Sequence, residues 1–299
     1  MKSPRKSPLP GLILASVLIY LPGWPAALAQ DASGWDTESH TESRLIAGTI
    51  NRDGAAAFLH AGIEIKLDPG WKTYWRDPGD SGAPPTLDFS GSENVKSVSV
   101  QWPAPERFPD GAGGNSIGYL DHVILPLRVV PQDAAKQTLL HLKLGYDICS
   151  NICIPVEADL KLPLRGDGAE EAAIEKAEIR VPRRVAPGQI PAKVAASEDA
   201  NVQSDRLAIL AVHRQPGGAH ERVVVDVAAP AGTTVDLFAE GPNSDWSLPL
   251  PEPTATRGNV RQFSFDLDGL PPDTHADGAM LTLTAVSADD AIEVTLHLD

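Results

Sequence analysis

Apolar and polar residues alternate in short runs along most of this chain, and that period of two is the strongest constraint on its fold. Ile63-Glu64-Ile65-Lys66-Leu67 alternates, as does Leu140-His141-Leu142-Lys143-Leu144 on to Tyr146. Farther on, Ile154, Val156, Ala158, Leu160 and Leu162 face one way, and Glu157, Asp159 and Lys161 face the other. The 27 prolines and 25 glycines interrupt these runs before a helical period can build up. A sheet with one apolar face must bury it against another layer, so the pattern predicts an all-β chain of sandwiches. One sandwich is expected over residues 30–165. Gly168 to Arg180 is rich in Ala and Glu, with apolar Ile174 and Ile179, and reads as one short helix. Pro182, Pro187 and Pro191 then stop any continuation, which makes 166–194 a linker. The β pattern resumes over 195–299, from Leu207 to Leu296, and predicts a second β-sandwich-like domain that serves as a spacer or docking surface.

The N-terminus has the parts of an export signal. Lys2, Arg5 and Lys6 give a positive start, Leu12 to Leu21 an apolar stretch, and Ala27-Leu28-Ala29 a cleavage box. The apolar stretch is shorter than the ~20 residues of a membrane span and is followed by Pro22 and Pro25. Residues 1–29 are therefore read as a cleavable signal peptide, which places the mature chain in a bacterial periplasm without stable membrane insertion. The formal charge is −15. Loss of the three leader cations, with no acid among residues 1–29, takes it to −18. An acidic surface of that size argues against nucleic acid or anionic lipid as a partner.

Beyond that leader the chain has two cysteines, Cys149 and Cys153, four positions apart. Three readings of the pair are open. As a staple it is weak: a ring of about five residues gains roughly 2 kcal/mol of loop entropy, against roughly 4.7 for a 100-residue loop. As a metal site it lacks ligands, because two thiolates need two more donors and the eight histidines are scattered. With Met1 removed, Met280 is the one methionine left, which argues against a thioether copper site. No metal or other cofactor is expected. The third reading is a redox-active pair. Four extended steps separate α-carbons by roughly 13 Å, so Ser150-Asn151-Ile152 must turn for a disulfide to close. Pro155 discourages a helix starting at Cys153, unlike the thioredoxin arrangement. Asp147 and Glu157 flank the pair, and no adjacent cation lowers a thiol pKa. The expectation is a relay whose disulfide is attacked by a partner thiolate, with thiol pKa values no lower than about 6.

Three stretches then carry a family resemblance. They are Gly70-Trp71-Lys72-Thr73-Tyr74-Trp75-Arg76-Asp77-Pro78-Gly79, then Trp102-Pro103-Ala104-Pro105-Glu106-Arg107-Phe108 with Ser116-Ile117-Gly118-Tyr119, and Tyr146-Asp147-Ile148-Cys149-Ser150-Asn151-Ile152-Cys153-Ile154-Pro155. Over roughly residues 40–165 the chain resembles the N-terminal periplasmic domain of the thiol:disulfide interchange protein DsbD family, in its ScsB-like branch associated with copper tolerance. The resemblance implies an immunoglobulin-like sandwich. Its catalytic cysteines would take electrons from a thioredoxin-like domain and pass them to periplasmic disulfide proteins. Cys153 would form the mixed disulfide and Cys149 would resolve it. A cap phenylalanine maps to Phe108, with Tyr119 nearby, and Gly111, Gly113 and Gly114 offer a hinge, with a plain surface loop as the alternative. Ordinary core packing is the alternative for Phe108. Tyr74 and Trp75 are possible site-lining residues, with strand-core aromatics as the alternative. The cysteine spacing is narrower than in the best-known DsbD domain. The chain also reaches Asp299 without the family's membrane-spanning electron carrier or thioredoxin-like domain, so a separate membrane electron carrier is the expected reductant. The function expected is a periplasmic thiol:disulfide relay, a protein-disulfide reductase in type, serving cytochrome c biogenesis or copper tolerance. Its alternatives are a non-catalytic binding module with a structural disulfide, or a copper-tolerance accessory protein.

Overall fold

Alternating runs become strands throughout: among the described residues there are nineteen strands and one helix. The computed structural model describes residues 31–53, 56–186 and 206–298. The expected export signal over 1–29 lies outside the described residues, as do Pro187, Pro191 and the start of the expected second domain. The first half holds β1 (Asp36–Glu38), β2 (Thr41–Asp53), β3 (Ala56–Leu67), β4 (Lys72–Gly79), β5 (Thr86–Asp88) and β6 (Val95–Val100). It continues with β7 (Glu106–Pro109), β8 (Asn115–Leu120), β9 (His122–Pro131), β10 (Thr138–Cys149) and β11 (Cys153–Leu164). One sheet runs β1-β2-β3-β9-β6; the other runs β11-β10-β4-β8-β7, with β5 beside β10. This is the immunoglobulin-like sandwich that the alternation requires.

The period-two rule accounts for the core between these sheets. Ile63, Ile65 and Leu67 of β3 point inward, as do Leu140, Leu142, Leu144, Tyr146 and Ile148 of β10 and Val156, Ala158, Leu160 and Leu162 of β11. Each fully buried aliphatic side chain contributes about 1.5–3 kcal/mol of transfer free energy. Glu157, Asp159 and Lys161 stay exposed on the other face of β11.

Helix α1 spans Glu171–Glu178 and buries Ile174 against Ile46 and Ile124. Ile179 falls just past its end and is 84% exposed, so only one of the two isoleucines in this segment packs. Pro182 follows three residues later, too close for another turn. The first turn is pinned to the sandwich by Glu171, whose carboxylate accepts from Thr49 N–H, Asn51 Nδ2 and His60 Nδ1 at 2.6–2.9 Å. Burial opposes that charge, yet the hydrogen bonds hold the Glu171 carboxyl below its usual range.

After α1 the chain enters a second pair of sheets. Its strands are β12 (Arg183–Val185), β13 (Ala208–Gln215), β14 (Arg222–Ala228), β15 (Val235–Glu240), β16 (Glu252–Arg257), β17 (Val260–Asp266), β18 (Met280–Ser287) and β19 (Ala291–His297). They form sheets β12-β19-β18-β15 and β13-β14-β17-β16 around a separate core that includes Val225, Phe263, Phe265 and Leu283. Phe238 and Leu250 of this half nevertheless pack with the core of the first. The Phe238 ring lies 5.8 Å from that of Trp75.

Candidate active site around a hairpin disulfide

β10 and β11 pair without interruption from Thr138 opposite Leu164 to Cys149 opposite Cys153. Ser150-Asn151-Ile152 closes the hairpin, and the Ser150 N–H donates to the Ile152 carbonyl at 3.0 Å. The turn brings the cysteine α-carbons to 4.2 Å, and a disulfide joins them. Cys153 continues directly into β11 with no helix at this point. Pro155 is tolerated because β11 is an edge strand, where a missing N–H faces no neighbour.

Which face of the sheet the sulfurs occupy follows from the register. Tyr146 and Ile148 point into the core, so Cys149 projects from the opposite, front face. Directly opposed residues in antiparallel strands share a face. Cys149 is opposite Lys72 of β4, Lys72 is opposite Leu120 of β8, and Tyr74 is opposite Gly118. Phe108 of β7 is opposite Ser116 of β8. The front face therefore collects Cys149, Cys153, Lys72, Tyr74, Ser116 and Phe108. The two sulfurs are not equivalent there: Cys149 is 1% exposed, whereas Cys153 at the outer edge is open to solvent.

Tyr74 covers the inner sulfur. Its hydroxyl donates to Cys149 Sγ at 2.9 Å and lies 3.6 Å from Cys153 Sγ. Two glycines make that placement feasible. A side chain at Gly82 (φ 106°) would put its Cβ 2.3 Å from the Tyr74 ring, and one at Gly118 would put it 1.9 Å from the Thr73 carbonyl. Burial raises the Tyr74 pKa, with Asp147 and Asp110 adding to the rise against a Ser116 hydrogen bond. The phenol thus remains a proton-bearing donor at neutral pH. Ser116 in turn lies 3.0 Å from the Ser81 hydroxyl. Lys72 sits beside this group, its ammonium 4.8 Å from the Phe108 ring centroid and donating to the Pro109 carbonyl at 3.2 Å. Burial lowers the Lys72 pKa, and Asp110 partly offsets the effect.

Of the residues singled out in the sequence, Cys149, Cys153 and Tyr74 meet directly. Phe108 joins them on the front face through Lys72. Trp75 and Tyr119 do not: both point to the rear, into the core. There Tyr119 donates to the Pro103 carbonyl at 2.9 Å, and burial pushes its pKa well up. Trp75 is fully buried. Gly111 and Gly113 adopt positive φ in the turn between β7 and β8, where Asp110 accepts from the Ala112 and Gly114 N–H groups. Sequence reasoning missed Lys72 as a cation near the pair. Its signal was available: Lys72 and Tyr74 are two apart in a strand and must share a face. Ser81 and Ser116 left no such signal.

Chemically, this arrangement can accept attack at an exposed sulfur and stabilise the sulfur that departs. A thiolate at Cys149 would inherit the Tyr74 hydrogen bond, and a hydrogen bond to a charged acceptor contributes about 1.5–3 kcal/mol. Comparison with known proteins bears on the fold that carries this site. The crystal structure of the N-terminal periplasmic domain of ScsB from Proteus mirabilis matches with a TM-score of 0.67 at 22% identity. The alignment covers 90% of this chain and 99% of that one, so the likeness is one of fold and spans both sandwiches. No curated protein matches the chain. Residues 54–165 match the family model described as thiol:disulfide interchange protein DsbD, N-terminal. That match takes in β4, β7, β8 and the whole β10–β11 hairpin, so the similarity to the DsbD N-terminal domain lies in the sulfur-bearing sandwich.

Proposed function

We propose that this protein is a thiol:disulfide relay that exchanges disulfides with partner proteins through Cys149 and Cys153. The observation that carries the reading is the asymmetry of the pair, one sulfur open at the sheet edge and the other buried under a phenol. A partner thiolate attacks Cys153 Sγ; the new intermolecular S–S bond forms as the Cys149–Cys153 bond breaks. The electron pair moves to Cys149 Sγ, where the Tyr74 O–H and the nearby Lys72 charge stabilise the thiolate. A second thiolate of the partner then displaces Cys153, leaving the partner oxidised and this pair reduced by two electrons. In the delivering half-reaction the Cys153 thiolate attacks a substrate disulfide. Cys149 then closes on Cys153 and releases the reduced substrate. Phe108 and Lys72 form the cap side of the site, limiting access by small thiols and oxidants.

The compartment is the periplasm. The leader-like sequence over 1–29 and the periplasmic origin of the ScsB domain support this. Reductant and substrate are periplasmic or membrane thiol proteins, and copper tolerance or cytochrome c biogenesis is the process served. Among the described residues no helix is long and apolar enough to cross a membrane.

Trapping tests the relay. Cys149→Ser expressed in the native periplasm should accumulate mixed disulfides through Cys153, seen on non-reducing gels and identified by mass spectrometry. Cys153→Ser should accumulate far fewer, because the remaining thiol is buried. Equal trapping by both variants, or by neither, would overturn the assignment.

A further inference from the structure

Tyr74 is the last residue of β4 paired with its neighbours before a break, and the residues just after it are held by the other sandwich. On the β10 side the pairing covers only Lys72 and Thr73. On the β8 side it runs from Lys72 to Tyr74, breaks, and resumes at Gly79 opposite Ser116. Trp75, Arg76, Asp77 and Pro78 thus leave the ladder at the point where the phenol reaches the sulfur.

What meets them is one outer face of the sheet β12-β19-β18-β15. Phe238 and Glu240 are two apart in β15 and share that face. Phe238 is opposite Thr284 of β18, and Thr284 is opposite Glu293 of β19, so Glu293 shares it too. Leu237, Ala239, Leu283 and Ala285 point the other way, into the second core. Phe238 packs into the core of the first sandwich, its ring 5.8 Å from that of Trp75. The Arg76 guanidinium lies over the same indole, 4.3 Å from the ring centroid. It makes a two-pronged pair with Glu240, Nε to Oε1 at 2.8 Å and Nη2 to Oε2 at 2.7 Å. Its Nη2 also donates to Glu293 Oε2 at 2.5 Å. Burial works against the Arg76 charge, but the two glutamates more than offset it and raise its pKa. Arg107 of β7 makes a like pair with Asp236 of β15, Nε to Oδ2 at 3.0 Å and Nη2 to Oδ1 at 2.8 Å, so β15 is gripped at two points.

Three consecutive residues therefore join the sulfur site to the second sandwich. Tyr74 donates to Cys149 Sγ at 2.9 Å on the front, Trp75 meets the Phe238 ring on the rear, and Arg76 ties the strand to Glu240 and Glu293. A hydrogen bond weakens steeply as its angle closes, so a small turn of the backbone at 75–76 is enough to weaken the bond from the phenol to the sulfur. We infer that Arg76 is a positioning residue: its pairs with Glu240 and Glu293 let the second sandwich fix the strand beside Tyr74, and with it the hydrogen bond that the phenol gives Cys149. This rests on the reading of the pair as redox-active. It gives a domain that contains no cysteine a share in setting how readily the disulfide is reduced.

The equilibrium with glutathione tests it, in which two glutathione thiols become one disulfide as the Cys149–Cys153 bond becomes two thiols. In the full chain, Glu240→Ala should shift that equilibrium about fivefold toward the protein disulfide, the low end of coupling between sites. That is short of the roughly tenfold that a change of about 30 mV represents for Tyr74→Phe. In a Tyr74→Phe background Glu240→Ala should shift nothing, because the bond it disturbs is already gone. The sign also separates the causes. Removing a carboxylate favours a nearby thiolate, so an effect of charge alone moves the equilibrium toward the dithiol. A native equilibrium in a folded Glu240→Ala chain would overturn the positioning role, as would a shift toward the dithiol or one that persists in the Tyr74→Phe background. Arg76→Lys keeps the charge and loses the two-pronged geometry. It is read in the same way and decides the matter if Glu240→Ala does not fold. Exchange with glutathione needs no partner protein. Failure here thus differs from failure of the relay, which shows as absent Cys153 adducts.

Discussion

The two faces of the sheet β11-β10-β4-β8-β7 are built by the same strands, yet they use their side chains in opposite ways. On the rear, Trp75, Ile117, Tyr119, Leu142, Tyr146 and Ile148 lie in a closed core. On the front, Tyr74 and Lys72 flank a disulfide with one sulfur open to solvent, and Ser116 and Phe108 lie farther along the same face. Adjacent residues of one strand can thus hold the fold and carry the chemistry, because consecutive side chains leave a strand on opposite faces. Tyr74 and Trp75 make the contrast within a single dipeptide. One hydroxyl reaches a sulfur, and one indole fills the space against Phe238.

The comparison can be broken by mutation. Trp75→Ala should be the most destabilising change, by about 3–5 kcal/mol in urea unfolding, as for other large-to-small core truncations. Tyr74→Phe should cost about 1 kcal/mol or less in the same assay, since it removes one hydrogen bond and no volume. Its effect belongs to chemistry. Without the phenolic proton the Cys149 thiolate loses stabilisation, so the reduced form is disfavoured and the reduction potential should fall by about 30 mV, equivalent to 1.4 kcal/mol. A Tyr74→Phe variant with native potential, or one as unstable as Trp75→Ala, would erase the division between faces.

The pH response sharpens the same contrast at alkaline pH. Tyr119 and Tyr74 both have pKa values raised chiefly by burial, the rear residue more strongly. A folded state that keeps a proton which the unfolded state releases is fully stabilised below the unfolded value of about 10 and loses that stability as pH rises above it. Tyr119→Phe should therefore blunt the loss of stability above pH 10 more than Tyr74→Phe does, measured by chemical unfolding at stepped pH. The smallest effect is expected from Lys72→Met. It removes a partly solvated cation near Cys149 and should slow reduction of the pair by roughly twofold at low ionic strength, less as salt screens the charge. Stopped-flow reduction at two salt concentrations checks this.

Much of this was readable in the chain. Alternation in 63–67, 140–146 and 154–162 names strands and their inward residues, because the period of two follows from backbone geometry. The spacing of Cys149 and Cys153, with turn formers between them, required a tight turn if a disulfide was to close. Tyr74 and Trp75 could not be told apart, since parity separates their faces but does not say which face meets the sulfur. That depends on the pairing of Cys149 with Lys72 across seventy-odd positions of sequence. Tyr119 illustrates the same limit: nearness in sequence to Phe108 suggested a cap, and the register turns it to the rear.

The chain alone thus settles local matters: strand periodicity, the breaks at proline and glycine, the turn demanded by the cysteine pair and the acidic surface. These depend on neighbours a few residues apart, where sterics and solvation act directly. Folding in three dimensions adds what long-range register controls. It puts a phenol on one sulfur and leaves the other exposed. It also clamps Arg107 and Arg76 in carboxylates more than a hundred residues downstream. Such contacts depend on which strands lie side by side and which faces the two sandwiches turn to each other.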